Sequence, residues 1–144
     1  MHAYTFTLQA PDDFSATVVL SGNCSLYELA ETLIKALDFD FDHCFGFYDN
    51  LKNPYHSQEK YTLFADIGES EDGEPGVKAT LIQDVFQPRK RLCLLFDYGD
   101  DWMFPVRCDS VTDAAVKRKS RKILTRTGTP PVQYDYPEED FEET

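Results

Sequence analysis

Asp38, Asp40 and Asp42 stand two residues apart, and Asp49 falls where a twelve-residue calcium loop would place its last ligand. Carboxylates at the first, third and fifth places, closed by an acid at the twelfth, are the ligand pattern of an EF-hand. The rest of that pattern is missing. His43 holds the sixth place, where the chain needs the sharp left-handed turn that glycine takes cheaply. Asp49 is one methylene short of the reach with which a glutamate ligates through both oxygens. The stretch after it, Asn50 to Pro54, has no helical pattern. The expectation is therefore a polar loop between a helix and a strand, with Phe39 and Phe41 packed inward and no metal bound.

A second acidic group surrounds a turn. Asp97, Asp100 and Asp101 flank Gly99 and Trp102. Neighbouring carboxylates do acid–base work when they are buried together, and His43 is a natural partner for one of them. In tight turns, however, aspartates more often bond their own backbone. His43, Asp97, Gly99, Asp100, Asp101 and Trp102 are thus a structural or functional motif with no catalytic role assigned. As a structural motif it predicts φ > 0 at Gly99 and a mostly buried Trp102. No nucleophile elbow, Walker loop, dinucleotide fingerprint or HExxH helix accompanies it, so an enzyme ranks third among the readings and no cofactor is called for. Cys24, Cys44, Cys93 and Cys108 are widely spaced, with no CxxC pair. They read as buried, reduced thiols of a cytoplasmic protein.

The third chemical feature is cationic. Lys117, Arg118, Lys119, Arg121, Lys122 and Arg126 supply six of the chain's 14 basic residues within one short window. These are the residues that would contact phosphates if the protein bound nucleic acid. The window contains no aromatic residue on which a base could stack. The formal net charge of −12 repels nucleic acid and anionic membranes over the rest of the surface. The run is expected to be solvated, or neutralised by the chain's own acidic end, residues 138–143.

These groups must be positioned by regular elements. Tyr4, Phe6 and Leu8 alternate with Thr5, Thr7 and Gln9, and Phe14, Ala16, Val18 and Leu20 with Ser15, Thr17, Val19 and Ser21, and Pro11-Asp12-Asp13 separates the two runs. That is a hairpin with one wet face. Ser25-Leu26-Tyr27-Glu28 is a capping box, and apolar residues at helical spacing follow it to Leu37. The helix over 26–37 should lie across the hairpin. Phe45 to Tyr48 and Tyr61 to Ala65 read as short strands, with a loop at 49–60 between them. Residues 67–76 carry four carboxylates, three glycines and a proline, and read as a mobile excursion. Thr80 to Gln83 repeats the capping pattern and opens a short helix ending near Phe86. Leu92 to Tyr98 and Trp102 to Cys108 form a second hairpin about Gly99-Asp100-Asp101. Its first strand is apolar on both sides and therefore central; Pro105 marks the second as an edge or a bulged strand. Residues 135–144 hold six carboxylates and no basic residue, and read as a solvated tail.

Phe96-Asp97-Tyr98-Gly99-Asp100-Asp101-Trp102 resembles the (Y/F)-D-(F/Y)-G-D-(D/S)-W signature of the plasmid pRiA4b ORF-3-like family. Ser25-Leu26-Tyr27-Glu28-Leu29 resembles the family's T-L-x-E-L helix opening. Asp42-His43 with Phe45 and Phe47 resembles its D-S-H-L-x-x-F segment, and Thr80-Leu81 with Asp84 its T-L-x-D-L turn. The chain departs from the pattern at Asp38-Phe39, at Met103-Phe104 and in having no cysteine near Pro130-Pro131. The resemblance implies a small α+β protein of bacteria and archaea, often encoded on plasmids or near transposable elements, with no catalytic residue to carry over.

Together these readings give one α+β domain over 1–134 and an acidic tail over 135–144. The sheet is mixed or antiparallel, of five or six strands, with the main helix on one face, and is compatible with a β-grasp-like arrangement. No run approaches the length of a membrane span, and the first ten residues lack a signal peptide's basic start and apolar stretch. The expected function is that of a cytoplasmic, non-catalytic protein-binding module or adaptor. The alternative is a nucleic-acid accessory factor using residues 117–126.

Overall fold

Alternating apolar and polar residues build the first hairpin. The computed structural model describes residues 1–113 and 118–134. In it β1 (Ala3–Gln9) and β2 (Ser15–Ser21) pair antiparallel, and Tyr4, Phe6, Leu8, Ala16, Val18 and Leu20 are all buried. Asp12 and Asp13 close the turn with left-handed φ values of 61° and 62°, a conformation that aspartate tolerates. α1 (Leu26–Ala36) begins where the sequence places it. Ser25 Oγ accepts from the Glu28 N–H at 3.1 Å, and Glu28 Oε1 accepts from the Ser25 N–H at 3.1 Å. Both orphan donors at the helix start are thereby satisfied. Leu26, Leu29, Ala30, Leu33 and Ile34 are buried, and α1 lies against β2.

The remaining elements are β3 (Phe45–Tyr48), β4 (Lys60–Thr62), α2 (Leu63–Asp66), β5 (Arg91–Phe96), β6 (Trp102–Thr112) and β7 (Arg121–Thr127). They complete a single sheet in the order β4-β3-β5-β6-β1-β2-β7, and every pairing between its strands is antiparallel. The α+β class holds. The count is seven strands rather than five or six, and the mixed, β-grasp-like alternative gives way to a uniformly antiparallel sheet.

The additional strand is β7, which pairs with β2 along the sheet's edge. Its residues read as a charge run because an edge strand has only one partner and tolerates Lys and Arg, which also discourage pairing with other chains. Ile123 alone packs on the core. β6 is interior, contrary to an edge placement for Pro105, and it carries a bulge at Asp109, where the pairing with β1 shifts between Thr5–Ser110 and Phe6–Cys108. Pro105 is accommodated differently. The pairing of β6 with β1 ends at Leu8–Val106, so that flank is open at Pro105. The Cys108 N–H points to the β5 side, donating to Lys90 O at 2.9 Å, and three residues earlier the alternation turns the nitrogen to the open flank.

Two local expectations change. The strand at 61–65 stops at Thr62, whose hydroxyl accepts from the Ala65 N–H and caps α2 instead. At Thr80 no capping box forms. The Thr80 hydroxyl donates to Gly76 O, and Ile82–Asp84 is a single 3-10 turn held beside the start of α1 by the Leu26–Thr80 and Ile82–Cys24 backbone bonds. The acidic excursion at 66–76 is anchored rather than loose. Asp66 accepts from the Lys78 N–H, and Glu74 accepts from the Thr62 and Ser70 hydroxyls. Glu69, Glu71 and Asp72 remain exposed.

Because the Ser25 hydroxyl accepts from the Glu28 N–H, Ser25→Ala strands that donor and is expected to cost about 0.5–2 kcal/mol, read as a lower urea midpoint with an unchanged slope.

Candidate functional site

The turn after β5 is organised by one side chain. Asp97 is buried, at 6% exposure, and has φ 68°. Its Oδ1 accepts from the N–H groups of Gly99 at 3.0 Å and Asp100 at 3.3 Å, and its carbonyl accepts from the Asp101 N–H at 2.6 Å. The left-handed positions are thus Asp97 and Asp101, at 68° and 50°, while Gly99, expected to have φ > 0, does not adopt it. An aspartate that bonds its own following backbone stabilises the conformation that glycine would otherwise supply. Glycine serves a different end here. A Cβ at Gly99 would stand 3.3 Å from Asp97 Oδ1, crowding the oxygen that fastens the turn.

Strand register brings His43 to the other oxygen. Phe45 pairs with Phe96, so the Asp97 N–H donates to Cys44 O at 2.9 Å and His43 stands beside it. His43 Nε2 is 3.3 Å from Asp97 Oδ2 and 2.8 Å from the Tyr134 hydroxyl. That hydroxyl has one proton and donates it to Asp42 Oδ2 at 2.7 Å. Its oxygen must therefore accept from His43, which places a proton on Nε2. The bond to the Asp42 carboxylate, with some burial, pushes the Tyr134 phenol well above its ordinary range and keeps it a donor. Gln133 closes the same contact. Its Oε1 accepts from the Asp40 N–H at 2.6 Å, and its Nε2 donates to Asp40 O at 3.0 Å.

Trp102 was expected to be mostly buried and is half-buried. Its ring meets Phe39 edge-on at 5.1 Å and stacks on Phe104 at 5.8 Å, while Nε1 is buried with no partner among the described residues. Asp100 and Asp101 are exposed; Asp101 Oδ1 accepts from the Tyr55 hydroxyl at 2.7 Å. Tyr98 turns the other way from Asp97, and its hydroxyl lies 2.7 Å from that of Tyr48. One turn thus fastens the His43 loop, the Tyr55 loop and β3. The family profile of the plasmid pRiA4b ORF-3-like proteins matches residues 12–140, most of the chain, including this turn.

The chain belongs to the plasmid pRiA4b ORF-3-like family. A solved structure, that of a protein of unknown function from Methanosarcina mazei Go1, is similar at a TM-score of 0.61. It is 18% identical, over 84% of this chain and 68% of that one. At that identity the likeness speaks for the fold alone. A search of curated proteins found no match. Neither the family nor the neighbour brings an assigned activity to the site.

The other expected features of this pRiA4b ORF-3-like chain fall in separate places. Asp38, Asp42 and Asp49 do not converge: Asp38 pairs with Arg126, Asp42 accepts from the Tyr134 hydroxyl, and Asp49 accepts from the Gln58 N–H. Phe39 is buried, and Phe41 packs partly buried against the core. Among the described residues no group of three or more His, Cys, Asp or Glu side chains is placed to hold a metal. Three cations of the basic run pair with α1 and its end. Lys119 pairs with Glu28, Arg121 with Glu31, and Arg126 with Asp38. Arg118 and Lys122 are exposed; Lys117 and the tail at 135–144 lie outside the described residues. All four cysteines are free, and burial raises each thiol, to about 11 at Cys93 and Cys108. Thiols so shifted stay protonated near neutrality and make poor nucleophiles. Gln133, Tyr134 and Tyr55 carry no sequence signal of these contacts, because an isolated tyrosine or glutamine has no spacing that announces its partner.

Asp97→Ala removes the acceptor of two backbone bonds and leaves a left-handed residue unsupported, so it should cost about 3 kcal/mol in urea unfolding. Asp97→Asn keeps an acceptor oxygen and tolerates the conformation, and should cost well under half as much. Tyr55 gives a pH signature. Its phenol is pushed from 10.0 to about 12, first by donating to Asp101 and then by burial. The folded state therefore holds this proton more tightly than the unfolded chain. The stabilisation is present below pH 10 and lost as pH rises toward 12. Phenolate absorbance should show one tyrosine titrating near 12 that returns toward 10 in Asp101→Asn.

Proposed function

We propose that the protein is a non-catalytic protein-binding module whose partner is basic. The observation that carries this reading is where the cations point. Three of the six cations in the chain's densest basic stretch are spent on its own helix and the residues just after it, through the Lys119–Glu28, Arg121–Glu31 and Arg126–Asp38 pairs, in a molecule of net charge −12. Exposed pairs of this kind add little stability, but they neutralise the groups that would otherwise meet phosphate. What remains outward is anionic, and an anionic surface steers basic partners at low ionic strength. Free thiols with raised pKa values fit a reducing compartment such as the cytoplasm.

The non-catalytic part of the reading rests on His43 and Asp97. Each is committed to neighbours that hold the loop, and no serine, threonine or cysteine side chain is bonded to His43 among the described residues. The second reading, a nucleic-acid accessory factor, is favoured among the described residues by Arg118 and Lys122, which are exposed on the basic segment.

A pull-down from the native host, split with and without nuclease, separates the two. A protein partner is expected to survive nuclease treatment and to be retained by Arg118→Ala with Lys122→Ala. Partner loss after nuclease, or duplex DNA binding by the purified chain that falls steeply between about 50 and 200 mM salt, would replace the first reading with the second.

A further inference from the structure

The signature turn has a second side. Beyond β3 and β4, opposite the face that carries α1, a cleft of about 410 Å³ opens between the sheet, α2 and the anchored acidic excursion. Its wall is aromatic. The Tyr98 ring packs against Phe64 at 4.9 Å, its hydroxyl meets that of Tyr48, and the Tyr55 ring stands 58% exposed at the rim with its hydroxyl tethered to Asp101. Its other wall is acidic. Glu69, Glu71, Asp72 and Glu74 line it, against the single cation Lys60.

Most of those charges are already answered. Lys60 is paired with Asp72. Glu74 is partly buried, yet its carboxyl is held below the usual range, because hydrogen bonds from Ser70 and Thr62 outweigh the burial that would raise it. Glu69 and Glu71 are different: both are exposed, and neither has a cation within salt-bridge distance among the described residues. The cleft therefore combines unmatched negative charge with aromatic faces whose edges are fixed by hydrogen bonds. Rings held in this way attract a cation through their negative faces, and arginine also stacks on them through its planar guanidinium.

We propose that this cleft binds a cationic side chain, arginine or lysine, presented by a basic segment of the protein partner. Tyr55 and Tyr98 face the cation and Glu69 and Glu71 neutralise it. This rests on the protein-binding reading and names the place and chemistry of the contact. Each element of the grip is weak on its own, so the occupant is a segment carrying several cations rather than a single free amine. The geometry of the turn explains the arrangement: Asp97 turning inward to His43 sends Tyr98 outward to the cleft, and Asp101 fixes Tyr55 at its rim.

The test uses the full chain and a fluorescein-labelled hexa-arginine peptide, followed by anisotropy at low ionic strength, with the equal-length citrulline peptide as the uncharged probe. The variant Tyr55→Ala, Glu69→Gln, Glu71→Gln is expected to bind hexa-arginine at least about tenfold more weakly. The pair Asp12→Asn, Asp13→Asn removes the same two charges at the far hairpin and should change binding less than about twofold. The citrulline peptide should not bind. Should the triple variant lose stability, Glu69→Gln with Glu71→Gln alone, at exposed positions, still has to weaken binding more than the hairpin pair does. Equal losses in the cleft and hairpin variants would show diffuse attraction and overturn the site, as would undiminished binding by the cleft variant. A nuclease-resistant partner that the cleft variant still captures would sink the cleft while leaving the protein-binding reading intact. Hexa-arginine binding that needs the cleft, with no nuclease-resistant partner in the host, would sink that reading and leave the cationic site standing.

Discussion

A buried carboxylate has to be given its hydrogen bonds close at hand, and the arrangement around Asp97 follows from that requirement. One oxygen is satisfied by the N–H groups of Gly99 and Asp100, which bends the chain sharply after β5. The other faces His43, which draws in the loop before β3. The bend sends Tyr98 to the opposite side of the sheet and leaves Asp101 beside Tyr55. A single desolvated anion thus sets the positions of three segments that are distant in sequence. The energy comes chiefly from not leaving that anion unpaired, since truncating one member of such a group strands the others.

Around this point the sheet divides into two regimes. On the face covered by α1, Phe6, Phe45, Phe47, Phe96 and Phe104 are fully buried, and aromatic contacts run on through Phe39 to Trp102. On the other face burial is confined mainly to Tyr48, Cys93 and Leu95, near the β3–β5 pairing, while the hairpin strands present Thr5, Thr7 and Thr17 at the surface. The edges are managed separately. β4 is three residues long, and β7 is studded with Lys and Arg. Both devices discourage another chain from adding to the sheet. At β7 the same cations also tie the edge to α1, so the charge run is part of how the layers are held together.

The local pieces were legible because their determinants are local. The capping box at Ser25, the period-two runs of β1 and β2, the central placement of β5 and the signature turn all depend on residues within a few positions of one another. Three of the expectations that changed show why other pieces were not. β7 hid behind its charge, since an edge strand answers to solvent more than to a core. Thr80 met a nearer acceptor at Gly76 than the helix start it was expected to cap. The left-handed conformation assigned to Gly99 went to Asp97 and Asp101, because a side chain that bonds the following backbone supports that conformation as well as glycine permits it.

By itself, then, the sequence determined the α+β class, the bounds of α1, the existence of both hairpins and the family signature, all of which rest on spacing and propensity along the chain. Only the tertiary structure decided that Tyr134 stands between Asp42 and His43, that the basic run folds back on α1, and that Tyr48, Tyr55 and Tyr98 share a cleft with Glu69 and Glu71. Those contacts join residues up to 92 positions apart. Most of these side chains sit on loops, and the register of the antiparallel strands decides which loops meet; a shift of one residue would turn the strand residues Tyr48, Arg121 and Arg126 to the other face.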